Sequence, residues 1–98
     1  MTRVTILGAG DMGTALLTPL HAGGHELRLW GTERDAAIIT SLHRGDPHPR
    51  LGIPIPPEVE TFGDAESAAA LAGAEIVVVA ITSNAIRPVI GRVAVIKL

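Results

Sequence analysis

Apolar and polar positions change their period at regular intervals along the chain. Val4 to Leu7 is a β-branched and apolar run that stops at Gly8; too short for a helix, it predicts a strand buried on both faces. From Met12 to Leu20 the apolar residues Met12, Leu16, Leu17 and Leu20 recur at helical spacing, and Gly23-Gly24 marks the stop. Pro19 interrupts that pattern, removing an amide donor and crowding the Ala15 carbonyl, so a kink or wide turn is expected there. Glu26 to Trp30 alternates and predicts a second strand ending at Gly31. Asp35 to His43 carries Ala36, Ile38, Ile39 and Leu42 on one helical stripe, with Thr32 or Asp35 as its cap.

Residues 44 to 57 hold five of the seven prolines, so they form a stiff loop. Beyond it, Val59 to Phe62 predicts a strand, Ala65 to Leu71 a short helix closed by Gly73, and Glu75 to Ile81 a nearly pure apolar strand. Asn84 to Ile90 reads as a helical turn or two and Val93 to Ile96 as one more strand. Strands and helices therefore alternate, and the strands need cover on both faces. That order predicts one α/β domain over residues 1–98, a doubly wound parallel sheet with its helices on the faces.

Composition narrows the functional classes. The 98 residues suit one core. Eight Lys and Arg against ten Asp and Glu give a net charge of −2 and no basic field for a nucleic-acid backbone. No apolar run reaches the roughly 18 residues that cross a bilayer, and Met1-Thr2-Arg3 with the short run after it lacks the features of a signal peptide. The chain is expected to be cytoplasmic, with no integral membrane contact. The absence of cysteine fits a reducing compartment and removes thiolate chemistry. His21, His25, His43 and His48 share no metal-ligand spacing, so no metal site is expected and all four read as polar surface residues. Glu58 and Glu60, two apart, read as one solvated strand face.

The one motif with chemistry in it is Gly8-Ala9-Gly10-Asp11-Met12-Gly13, a G-x-G-x-x-G spacing directly after the first strand and opening the first helix. That is the context of the dinucleotide-binding fingerprint. Gly8 lets the chain turn off the strand, Gly10 lets a pyrophosphate approach the backbone, and Gly13 lets helix and strand pack closely. The alternative is a tight glycine turn with no ligand. Asp11 would repel a pyrophosphate unless its side chain turns outward or caps the helix. At the end of the second strand, Glu33 suits the ribose hydroxyl of NAD, whereas Thr32 with Arg34 suits the 2′-phosphate of NADP; the cofactor is therefore NAD or NADP. The alternative for these three residues is a solvated position ahead of a helix.

The run from Ile6 to Leu16 and the strand end Gly24 to Gly31 closely resemble the start of NAD(P)-dependent glycerol-3-phosphate dehydrogenases. The Pro-rich segment from His48 to Pro56 is similar to the family's segment after its second helix, and Gly73 to Ser83 to its fourth strand and the loop that follows. The resemblance implies a Rossmann-type fold and hydride transfer between reduced nicotinamide and dihydroxyacetone phosphate, giving sn-glycerol 3-phosphate. It also implies that Gly8, Gly10, Asp11, Met12 and Gly13 cradle the cofactor, that Thr32 and Glu33 lie at the adenosine ribose, and that Thr82 and Ser83 lie near the nicotinamide. A helix cap is the other reading of Thr82 and Ser83.

Family members are much longer than this chain and carry most substrate residues in a helical C-terminal domain. No catalytic residue is assigned here. Lys97 is the one candidate, since a family lysine follows the next strand; it comes early, however, precedes Leu98 where the family has glycine, and Lys97-Leu98 is also what a common cloning site encodes. His48 or Arg50 could reach a phosphate or carbonyl only if the Pro-rich loop folded back over the cofactor, and the loop reads as a lid spacer or domain contact. Taken alone the 98 residues are expected to be catalytically inactive, and either to self-associate, for example as a homodimer, or to be marginally stable. A stand-alone NAD(H)-sensing module and the cofactor domain of a related enzyme such as a ketopantoate reductase are the alternative functions.

Overall fold

The computed structural model describes residues 2–80. Among these residues four strands form one sheet: β1 Arg3–Leu7, β2 Glu26–Trp30, β3 Glu60–Phe62 and β4 Ile76–Val79. The sheet order is β3-β2-β1-β4, and every pairing is parallel. Register is set by Leu7 opposite Trp30 and Val79, and by Trp30 opposite Phe62. Parallel neighbours need a crossover, and the helices supply them: α1 Asp11–Ala15 and α2 Leu17–Ala22, α3 Ala36–His43, and α4 Ser67–Leu71. The strand expected at Val4–Leu7 begins one residue earlier, those expected at Val59–Phe62 and Glu75–Ile81 are shorter, and the second strand runs as the alternation indicates. The elements expected at Asn84–Ile90 and Val93–Ile96 lie outside the described residues.

Alternation along the strands divides the interior in two. Val4, Ile6, Leu27 and Leu29 face one side and pack with Leu17, Ile39 and Leu42 from α2 and α3. Leu7, Trp30 and Val77 face the other side and pack with Ala70 of α4. Burial on both faces is why β1 reads as a β-branched and apolar run. The second face also buries polar groups, two of which bond to α4, while the Trp30 indole N–H has no partner among the described residues. The Thr5 hydroxyl donates to the Ala70 carbonyl at 2.6 Å, and Arg28 reaches the carbonyls of Ala69, Ala70 and Ala72. A hydroxyl and a guanidinium at facing positions of β1 and β2 thus satisfy carbonyls left unpaired where α4 ends.

The expected break in the first helix is present, and two other sequence expectations are corrected. The chain breaks at Leu16, three residues before Pro19, so Pro19 falls in the first turn of α2, where its missing N–H has no intrahelical partner to lose. Met12, assigned to the apolar stripe, is 71% exposed; Leu17 carries the contact to the core. Glu58 lies ahead of β3 and pairs with His21 at 3.1 Å, so Glu58 and Glu60 are not one strand face. Among the described residues no helix is long and apolar enough to cross a membrane.

Candidate functional site

The sheet order reverses between β1 and β4, because successive crossovers first run outward to β3 and then return across β1. In open α/β sheets, ligands sit outside the carboxyl ends of the strands at such a switch point. Gly8 to Gly13 occupies that place, joining the end of β1 to α1.

Each glycine has a distinct geometric reason. Gly8 has φ +123°, a value that side-chain-bearing residues rarely adopt, and its N–H donates to the Trp30 carbonyl at 2.7 Å. A Cβ on Gly13 would stand 1.9 Å from the Gly8 carbonyl oxygen and 3.3 Å from Ile6 Cγ2, so the loop closes on itself only with glycine there. Gly10 differs. Its backbone is extended, with φ −73° and ψ −169°, and among the described residues a Cβ there would meet only the Arg50 guanidinium, at 3.8 Å. The first and third glycines therefore build the loop, while the second leaves a face uncovered. A polyphosphate needs that uncovered backbone, so the loop fits a dinucleotide.

Asp11 and Met12 are exposed on the rim of this loop. Asp11 does not cap α1; Gly10 holds that position without a side-chain bond, and the Asp11 carboxylate instead accepts from Arg50 Nε at 3.0 Å. The Pro-rich loop is folded back on the glycine loop, contrary to a role as spacer alone. His48 is fully buried rather than on the surface. Its Nδ1 accepts the backbone N–H groups of Arg50 and Leu51 at 3.1 and 3.2 Å. The proton is thereby assigned to Nε2, which donates to the Ala9 carbonyl at 3.1 Å.

At the end of β2 the Thr32 hydroxyl accepts the Arg34 N–H at 3.2 Å, and the Asp35 carboxylate accepts the Thr32 N–H at 3.1 Å, a reciprocal capping box. The same Asp35 oxygen accepts the Ala9 N–H at 3.4 Å, tying the two strand ends together. Thr32 is thus buried and committed to the cap, while Glu33 and Arg34 are exposed. Thr32, Glu33, Arg44, Gly63 and Asp64 line a groove of about 440 Å³ beyond the ends of β2 and β3. A larger groove of about 520 Å³ lies between α3, the Pro-rich segment and β3, and no residue of the glycine loop lines it. Thr82, Ser83 and Lys97 lie outside the described residues.

Sequence reasoning missed Asp35 as a glycine-loop partner, His48 as a buried joint, and Gly31. A Cβ on Gly31 would stand 2.6 Å from Ile39 Cγ1 and 2.9 Å from Asp35 Cβ, so glycine there admits α3. The T-x-x-D spacing of Thr32 and Asp35 signals the cap, but nothing local signals the reach of Asp35 to Ala9.

A parallel sheet with helices on both faces and a glycine loop at its switch point defines a Rossmann-like nucleotide-binding domain. Within that class, residues 3–96 match the family described as NAD-dependent glycerol-3-phosphate dehydrogenase N-terminus, and the chain belongs to that family. It is 42% identical over 90 residues to an NADP(+)-dependent glycerol-3-phosphate dehydrogenase of Archaeoglobus fulgidus, covering 92% of this chain and 27% of that protein. It is 41% identical over 90 residues to a glycerol-3-phosphate dehydrogenase (NAD(P)+) of Anaeromyxobacter sp., covering 90% of this chain and 26% of that one. A namesake in Myxococcus xanthus is 36% identical over 90 residues, covering 92% and 26%. The chain spans about a quarter of the length of the curated relatives it matches.

Proposed function

We propose that this chain binds a nicotinamide dinucleotide, NAD or NADP, for an enzyme that interconverts dihydroxyacetone phosphate and sn-glycerol 3-phosphate by hydride transfer. The carrying observation is the contrast within the glycine loop. Gly13 is filled to contact by the fold, whereas Gly10 is left open to a ligand. Family membership supports the dinucleotide as that ligand. When bound, the nicotinamide supplies or accepts the hydride. The protein's part is to hold and orient: Gly8, Gly10 and Gly13, with Asp11 and Met12 on the rim, take the pyrophosphate, and the β2 end takes the adenosine ribose. There Glu33 favours a free 2′-hydroxyl and Arg34 a 2′-phosphate; the Thr32 hydroxyl, engaged in its cap, favours neither. Thr82 and Ser83 are proposed for the nicotinamide half on family resemblance alone.

The test is a separate titration of NADH and NADPH against the chain, read by energy transfer from Trp30, the only tryptophan. Saturable transfer to one dinucleotide is expected, with a circular-dichroism spectrum confirming the fold. Gly10→Val should lower affinity at least tenfold while leaving the spectrum unchanged, because the extended backbone at Gly10 accepts a side chain without strain. Equal affinity in that variant would mean that the open face is not the site.

A further inference from the structure

We propose that Arg50, carried by the Pro-rich loop, is a phosphate-contacting residue of the dinucleotide site, with Asp11 as the counter-ion it exchanges for the ligand's pyrophosphate. The inference rests on the reading of the glycine loop as a dinucleotide site and adds a residue from outside the G-x-G-x-x-G motif. Three observations carry it.

The first is position. Among the described residues Arg50 Nη2 is the sole atom near the vacant Cβ position of Gly10, at 3.8 Å, so the guanidinium stands over the face of the loop that they leave open. The second is anchorage. The Arg50 N–H is bonded to His48 Nδ1, and the opposite nitrogen of that fully buried imidazole is bonded to Ala9, the neighbour of Gly10. Pro47 and Pro49 flank His48 and restrict the backbone on either side. The base of the Arg50 side chain is therefore fixed relative to the glycine loop, and only its guanidinium is free to change partners.

The third is the weakness of its present partnership. The Arg50–Asp11 pair is a 3.0 Å contact through Nε between side chains that are 62% and 59% exposed. Exposed pairs of this kind contribute about 0–1 kcal/mol. A pyrophosphate offers two negative charges and a bidentate match to the guanidinium fork, so it outcompetes one solvated carboxylate. The exchange also accounts for an acidic residue on the rim of an anion site. Paired with Arg50, Asp11 adds no net charge there, and its place in the first turn of α1 is itself favourable.

Calorimetric titration of NADH and NADPH with the intact chain, at low and high salt, tests this on the wild type and on Arg50→Gln, Arg50→Lys and Asp11→Asn. Arg50→Gln should weaken the bound dinucleotide about tenfold and flatten its salt dependence, since one charge-assisted contact is lost. Arg50→Lys should recover part of the affinity by restoring charge without the fork. Asp11→Asn should tighten binding about two- to fivefold by releasing the guanidinium and removing the carboxylate. Thermal melting should be nearly unchanged in all three, because the side chains are exposed. Unaltered affinity in Arg50→Gln would overturn the inference while leaving the dinucleotide site in place. Tighter binding in that variant would overturn it too, by making Arg50 a gate. Failure of the folded wild type to bind either dinucleotide would instead overturn the reading on which it rests.

Discussion

Gly10 and Gly13 are three residues apart, carry the same absent side chain and answer to different demands. The distinction is testable because the two fail in different ways. A Cβ on Gly13 would overlap the Gly8 carbonyl at 1.9 Å, and a backbone oxygen inside the loop has nowhere to retreat without displacing β1 or α1. Gly13→Ala should therefore cost stability in the manner of overpacking, about 1–3 kcal/mol, which for a domain of this size lowers Tm by roughly 4–24 °C. Any accompanying loss of cofactor affinity would follow from the displaced loop. Gly10→Val should show the reverse: an unchanged Tm and lost affinity. If Gly13→Ala melted like the wild type, the close approach at that glycine would not be holding the loop. The motif's spacing was legible in the sequence, but spacing alone could not separate the glycine that builds the loop from the one that serves a ligand. The separation depends on which carbonyl stands behind each Cα.

Elements were legible where periodicity was strong and local. β2 runs from Glu26 to Trp30, as its alternation indicates, and α3 keeps its apolar stripe of Ile39 and Leu42. Sequence reasoning fell short where a long-range contact overrode local pattern. His48 is polar and bracketed by prolines, which reads as surface, yet its bond to Ala9 spans 39 positions and buries it. Asp35 shows the same effect at a helix start. The capping box with Thr32 is local, whereas the bond to the Ala9 N–H crosses to another strand's loop. These two tasks should separate by mutation. Thr32→Ala removes the hydroxyl cap alone and is expected to cost about 1 kcal/mol. Asp35→Ala strips the acceptor from the N–H groups of both Thr32 and Ala9, so about 1–3 kcal/mol is expected, with weaker dinucleotide binding besides. Equal melting and equal affinity in the two variants would show that Asp35 serves only the cap.

For the whole molecule, binding and folding are one linked equilibrium, since the glycine loop, the Pro-rich loop and the β2 end come together only in the folded chain. His48 joins the first two and Asp35 joins the first and third, so a ligand on the glycine loop finds its partners pre-assembled. A dinucleotide that binds the folded state alone stabilises it by RT ln(1 + [L]/Kd), about 2.7 kcal/mol at one hundred times Kd. With about 4–8 °C per kcal/mol for a domain of this length, the Tm should rise by roughly 10–20 °C at that concentration and continue to rise with the logarithm of ligand. The rise should be seen with the dinucleotide that gives energy transfer from Trp30 and should disappear in Gly10→Val, whose unliganded melting is unchanged. A Tm indifferent to saturating dinucleotide would mean that the ligand does not select the fold and that the three segments are joined for stability alone. A rise that persists in Gly10→Val would move the site away from the open face of the loop, toward the groove at Thr32 and Gly63.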